Sequence, residues 1–279
     1  MNRLEYTLVF SVLIATNAIT VHASDLAKEQ RWANQIVEFL LDGEPQWLEA
    51  DGQRFLSIYT PSVQDKPAGA VVLVHGRGTH PDWPQVIHPL RTGLPKQGWV
   101  TLSLQMPVLG SELEDRDYVP LFDEVPARIQ AALDFLSDRG LNNVVLIGHS
   151  LGTNMATHYL ATHPDPRIKA FVGIGMSGSR QPAEYQVLDN VGSLLQMKVP
   201  VLDIYGSETI QPVLASVNRR AYVVYHTGHN HSSQIELKGA DHFFQGYENE
   251  LIGAVTTWME PYAIPEPTSN VVIRDNKSQ

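Results

Sequence analysis

The stretch Asn142–His163, NNVVLIGHSLGTNMATHYLATH, decides how this chain is read. Val144 to Gly148 is an unbroken apolar run closed by glycine, the pattern of a strand buried on both faces. Leu151, Met155, Tyr159 and Leu160 then recur at helical spacing, so a helix starts almost at once. Between strand and helix lies Gly148-His149-Ser150-Leu151-Gly152. So sharp a turn forces its central residue into strained backbone geometry, and flanking glycines remove side chains that would clash there. The Ser150 hydroxyl is therefore expected at the top of a sheet, presented as a nucleophile. The N–H of Leu151 falls at a helix N-terminus, where it can face developing negative charge.

The same grammar repeats on either side. Upstream, Ala70 to Val74 is a second continuous apolar strand, ending in His75-Gly76-Arg77-Gly78. Small residues there let the backbone approach a reacting oxygen closely. Downstream, Ala170–Ile174 and Pro200–Tyr205 read as strands, the latter followed by Gly206-Ser207-Glu208-Thr209. Ile235–Leu237 is a short strand leading to Gly239-Ala240-Asp241-His242-Phe243. Further strands are expected at Phe55–Tyr59 and Trp99–Leu104. Helices are expected at Leu26–Leu41, Pro84–Lys96, Pro126–Asp138, Tyr185–Met197 and Tyr247–Met259, while Ala221–Tyr225 fits either type. Alternation of this kind predicts an α/β architecture, a mostly parallel twisted sheet with helices on both faces. Catalytic groups gather at the carboxyl ends of such strands. The interval between Ile174 and Val199 leaves no room for a large lid domain.

Serine needs a base to take its proton, and the base needs a third group to orient it. His242, in a glycine-bearing loop near the end of the chain, is the best base. Two carboxylates compete for the third role. Asp203 lies inside the strand, about 10 Å back from its end along an extended chain. Glu208 lies in the loop beyond Gly206 and is the preferred candidate.

HGRG at 75–78, GHSLG at 148–152, PVLDIYG at 200–206 and GADHF at 239–243 together resemble the α/β-hydrolase superfamily over nearly the whole chain beyond residue 23. Within it the chain is most similar to exported bacterial α/β-hydrolase-like proteins of poorly defined role. The resemblance implies a Ser–His–acid hydrolase that needs no cofactor and no metal. It also implies an oxyanion hole made by the N–H groups of Arg77 and Leu151. It implies no substrate, because this fold hosts many functions. One departure stands out: where many members carry the triad aspartate, three residues after the strand-ending glycine, this chain has Thr209.

The ends read differently from the middle. Arg3 precedes an apolar run from Tyr6 to Ile14, and Val21-His22-Ala23 fits a cleavage site, so residues 1–23 are expected to be a secretory signal. Residues 24–262 would form the domain, and residues 263–279 a polar, proline-containing tail. Among 279 residues there is no cysteine, so an exported fold must be stabilised by its core rather than by disulfides. The net charge of −10 argues against nucleic acid and anionic membranes as partners. After signal cleavage no membrane segment is expected.

Two features stay outside this reading. Pro107–Val125 is a long acidic connection, the pattern of a solvated face or of a functional loop. His226, His229 and His231 place three imidazoles close together, but in no standard zinc spacing. The expected function is a periplasmic or secreted serine hydrolase, carboxylesterase-like, acting with water on an ester, thioester or amide of a small to medium acyl group. One rival is a non-catalytic binding protein on the same fold, favoured if no carboxylate supports His242. The other is a metal-binding protein using the three clustered histidines.

Overall fold

Apolar runs with no polar alternation can be buried only between two layers, and the strands of this chain are arranged accordingly. The computed structural model describes residues 24–178, 180–226 and 228–264. The expected signal at 1–23 and nearly all of the expected tail, residues 265–279, lie outside the described residues. β1 (Glu44–Ala50), β2 (Gln53–Thr60), β3 (Gly69–Val74), β4 (Trp99–Leu104), β5 (Val144–His149), β6 (Ile168–Ile174), β7 (Val201–Gly206) and β8 (Ser233–Leu237) form one sheet. Its order is β1-β2-β4-β3-β5-β6-β7-β8. β1 pairs antiparallel with β2, and β2 with β4; every later pairing is parallel.

Helices cover both faces. On one, α3 (Val125–Ser137) and α4 (Leu151–Thr162) pack Ile129, Leu133, Met155 and Tyr159 against Val72 and Leu146. On the other, α2 (Ile87–Gly93) and α8 (Glu248–Met259) bring Leu90, Leu251 and Val255 onto Val71, Val145 and Ile147. Burying each such aliphatic side chain contributes about 1.5–3 kcal/mol of transfer free energy. α1 (Leu26–Phe39) uses Ala33 and Ile36 to cover Leu56 and Ile58 of β2. Between β6 and β7 the described residues hold only a short 3-10 turn at Ala183–Leu188 and the one-turn α5 (Asn190–Leu194), so no lid domain stands there.

Two departures from the sequence reading have physical causes, and one open assignment is resolved. β1 was not expected, because most of its residues are exposed and it carries no apolar alternation. The single helix expected at Tyr185–Met197 is broken in two, with Tyr185 at non-helical φ −117°. The ambiguous Ala221–Tyr225 lies within α7 (Val217–His226), which follows the four-residue α6 (Gln211–Leu214).

α7 explains Asp203. Arg220 Nε donates to Asp203 Oδ2 at 2.8 Å, with both side chains fully buried. Gln234 Nε2 donates to the same oxygen at 2.7 Å. Burial pushes this carboxyl upward and the guanidinium opposes that shift. The carboxylate inside β7 therefore ties α7 to the sheet and adds a side-chain bond between β7 and β8.

Candidate active site

Ser150 sits between β5 and α4 with φ 53° and ψ −124°, a left-handed conformation that a side-chain-bearing residue adopts only under constraint. Its neighbours explain how this is tolerated. A Cβ on Gly152 would run into the carbonyls of Val74 and His75, and one on Gly148 into the backbone of Gly152 and Thr153. Gly152 is thus required by close approach of the turn to the end of β3, and Gly148 by close approach of β5 to the start of α4. The N–H of Ser150 donates to Ile174 O at 3.0 Å, which fixes the turn to β6.

The loop after β8 brings His242 over this serine, with Nε2 3.0 Å from Ser150 Oγ. At the far side of the ring, Nδ1 lies 3.0 Å from Thr209 Oγ1. Glu208 does not take that place. Its N–H donates to Ala240 O at 2.9 Å, which turns its side chain out to solvent, where the carboxylate has no hydrogen-bond partner among the described residues. Asp203 is occupied by Arg220 and Gln234. Among the described residues no carboxylate therefore bonds His242, and the group at its Nδ1 is the Thr209 hydroxyl. Burial pushes His242 below the ordinary imidazole range, and the carboxylate of neighbouring Asp241 partly opposes this.

Of the two oxyanion donors expected from the sequence, Leu151 directly follows Ser150 and Arg77 lies in the loop that reaches it. Leu151 is the first residue of α4, so its N–H has no partner within the helix. A Cβ on Gly76 would come within 3.1 Å of Ser150 Cβ, which places the His75–Gly78 loop against the serine. The N–H of Arg77 meets no acceptor among the described residues. Its guanidinium holds Leu113 O at 2.8 Å and Asp115 Oδ1 at 2.9 Å. That binds the loop to the acidic connection, part of which is a 3-10 helix at Asp115–Asp123. A cavity of about 310 Å³ lies along this connection, lined by Leu109, Leu113, Arg116, Asp117 and Pro120.

These elements and their order are those of the α/β-hydrolase fold. The family described as "Protein of unknown function (DUF3530)" matches residues 14–120 and 119–261. The chain belongs to that family. Among solved structures, an α/β serine hydrolase homologue from Coxiella burnetii aligns at TM-score 0.59 and 16% identity, covering 78% of this chain and 98% of its own. A lidless α/β serine hydrolase from Xanthomonas campestris aligns at 0.60 and 12%, covering 82% and 99%. Dienelactone hydrolase from Anabaena variabilis aligns at 0.60 and 18%, covering 80% and 99%. No curated protein matches the sequence. The structural likenesses show that this DUF3530 chain has the α/β-hydrolase fold.

Two buried histidines and one glycine complete the site, and sequence reasoning gave none of them a role there. His149, the variable residue of GHSLG, bonds His242 O through Nε2 at 3.1 Å, and its ring lies 5.2 Å from that of His242. A carbonyl accepts, so Nε2 carries the proton and anchors the histidine loop. His75 Nε2 accepts from Met106 N–H at 2.9 Å while Nδ1 meets Gly76 O at 2.9 Å. Burial holds both rings neutral, pushed down to about 3. Gly175, at φ +62°, lies under the base, where a Cβ would come within 3.0 Å of His242 Cε1. Only the glycine's position after a strand could have signalled this.

The clustered histidines do not converge. His226 stacks on Tyr222 with centroids 4.2 Å apart, and His231 stacks on Trp258 at 5.1 Å. His231 Nε2 bonds Trp258 O at 2.9 Å. Among the described residues, no group of three metal-ligating side chains comes together. No helix among them is long and apolar enough to cross a membrane.

Proposed function

We propose that this protein is an exported hydrolase that cleaves esters or thioesters of small to medium acyl groups through an acyl-enzyme on Ser150. The observation that carries the reading is the 3.0 Å contact between His242 Nε2 and Ser150 Oγ, made by a serine held at strained φ 53°. Ser150 attacks the carbonyl carbon as His242 Nε2 takes its proton, and the N–H groups of Leu151 and Arg77 receive the oxyanion. His242 then protonates the departing alcohol or thiol, and water, deprotonated by the same nitrogen, releases the acid.

Thr209 sets the conditions for this cycle. For Nε2 to accept a proton, Nδ1 must carry one, and the Thr209 oxygen accepts it. The correct tautomer is thereby held, but the imidazolium formed during the reaction gains no buried counter-charge. Alcohols and thiols leave with less help from a protonated base than amines do, which favours esters and thioesters over amides. Export rests on the signal-like residues 1–23, with the periplasm or the exterior as destination.

The hydroxyl in place of a carboxylate also favours a second reading, a binding protein that retains the fold without turnover. Both are tested by one comparison. Native protein and Ser150→Ala are exposed to an activated phosphonate and to aryl and thiol esters of graded chain length. Labelling at Ser150 with turnover above the variant supports the hydrolase. Labelling without turnover supports the binding protein, and labelling elsewhere removes the nucleophile.

A further inference from the structure

The start of the described chain is tied into a buried charge cluster. Ser24 N–H donates to Glu124 Oε1 at 2.9 Å, and Ser24 Oγ donates to Glu124 Oε2 at 2.9 Å. Asp25 N–H donates to Val108 O at 2.8 Å, which fixes the direction in which the chain arrives. On the other side of Glu124, Arg128 Nη2 donates to its Oε2 at 3.2 Å and to Ser24 Oγ at 3.4 Å. Arg128 also pairs with Glu29 through Nη1 at 2.8 Å. Its side chain and that of Glu29 are almost entirely buried.

The charges in this cluster do not balance. Two carboxylates, Glu29 and Glu124, share one guanidinium. The ammonium of Lys28, on the same helix as Glu29, is directed to Leu109 O and Ser111 Oγ instead. Asp25 turns its carboxylate to the N–H of Lys28, as the cap of α1. Glu29 is the buried carboxylate of the two, and burial pushes its carboxyl upward, while Glu124 is about 30% exposed; sharing one guanidinium leaves the pair short of one positive charge.

We infer that the Ala23–Ser24 bond is a processing site, and that the α-ammonium of Ser24 released there is the missing cation, paired with Glu124. Hydrolysis by an export peptidase adds water across this bond. The acyl carbon of Ala23 keeps a carboxylate, and the nitrogen of Ser24 leaves as an amine that takes a proton from solvent. The nitrogen already lies at hydrogen-bond distance from the carboxylate, so processing converts a neutral donor into a charged one in place. Charge-assisted bonds of this kind are about twice as strong as neutral ones. The inference rests on the export reading of residues 1–23 and is independent of the catalytic one.

The test uses the full chain expressed with its own first residues in an exporting host. N-terminal sequencing of the exported protein is expected to begin at Ser24, and any other start overturns the processing site. Thermal unfolding of that form is then compared with a chain carrying one extra glycine before Ser24, each with and without Glu124→Gln. The native start is expected to melt about 3 °C or more above the extended one, and the gap to close with Glu124→Gln. Equal melting, or a gap untouched by Glu124→Gln, overturns the ion pair. Should that variant not fold, the reactivity of the α-amine toward acetic anhydride decides. It is expected to be about tenfold or more slower in native protein than in urea, the effect of a one-unit rise in amine pKa. Equal rates overturn the pairing.

Discussion

Thr209 Oγ1 lies 3.0 Å from His242 Nδ1, in the place where a carboxylate would orient and stabilise a catalytic imidazole. A hydroxyl can hold the tautomer, and it offers no charge. The carboxylate of Asp241 acts on the ring only from a distance, since its Oδ1 accepts from the N–H groups of Phe243 and Gln245 at 2.9 and 3.1 Å.

Opposite substitutions at Thr209 should therefore move activity in opposite directions. Thr209→Asp restores a counter-charge and is expected to raise kcat by about tenfold or more. Thr209→Val removes the acceptor and is expected to lower it by about 10²–10⁴, as when a triad loses its tautomer control. Ester hydrolysis at saturating substrate reads both. If neither substitution changes kcat, Thr209 does not orient the base.

The site's pH dependence follows from burial. His242 must be neutral to act, and burial pushes it below the ordinary imidazole range. The acid limb of kcat/KM is therefore expected below about pH 6.5, the unperturbed value. Stability has the same sign. His75 and His149 are pushed down to about 3 when folded, so between that value and about 6.5 the unfolded chain binds protons that the folded chain does not. Their contribution is complete above pH 6.5 and declines as pH falls, by up to about 1.4 kcal/mol per pH unit for each histidine. Urea unfolding from pH 7.5 to 5 checks this, and a flat midpoint would contradict it.

Much of this was legible in the sequence for a simple reason. β3 and β5 are buried along their whole length, so they appear as apolar runs that need no partner to be recognised, and β4 and β7, equally buried, show the same signal with few polar interruptions. The turn at Ser150 announces itself by glycines that close approach requires. What escaped depends on partners distant in the chain. Asp203 looks like a catalytic acid until Arg220 arrives from α7. The slot for the acid was legible by spacing as Thr209, but the chemistry expected there directed attention to Glu208, one residue away. His149 and Gly175 matter only because the loop after β8 folds back over them.

Gly175 gives a test of that packing. Any side chain there meets the His242 ring and must also adopt φ +62°. Gly175→Ala is expected to lower kcat by about 10², the cost of displacing a reacting group by about an ångström. The positive φ adds a stability loss of about 1–2 kcal/mol. An alanine variant with native kcat would show that the imidazole does not depend on this contact.

The last prediction separates stability from positioning at Arg77. Its ion pair with Asp115 joins side chains that are 43% and 57% exposed, so solvent screens it and its stability value is about 0–1 kcal/mol at most. The same guanidinium bonds Leu113 O, and through these two contacts it fixes the residue whose own N–H is the proposed oxyanion donor. Replacing the side chain leaves that N–H in place but frees the loop that aims it. Arg77→Ala is therefore expected to lower kcat by about tenfold or more, with KM nearly unchanged, because the donor acts on charge that develops only in the transition state. Urea unfolding should shift by no more than about 1 kcal/mol. Asp115→Asn should give a smaller loss of the same kind, since the bond to Leu113 O remains. A rise in KM with constant kcat would mean that Arg77 binds substrate instead, and a large loss of stability would mean that the clamp holds the fold rather than the site.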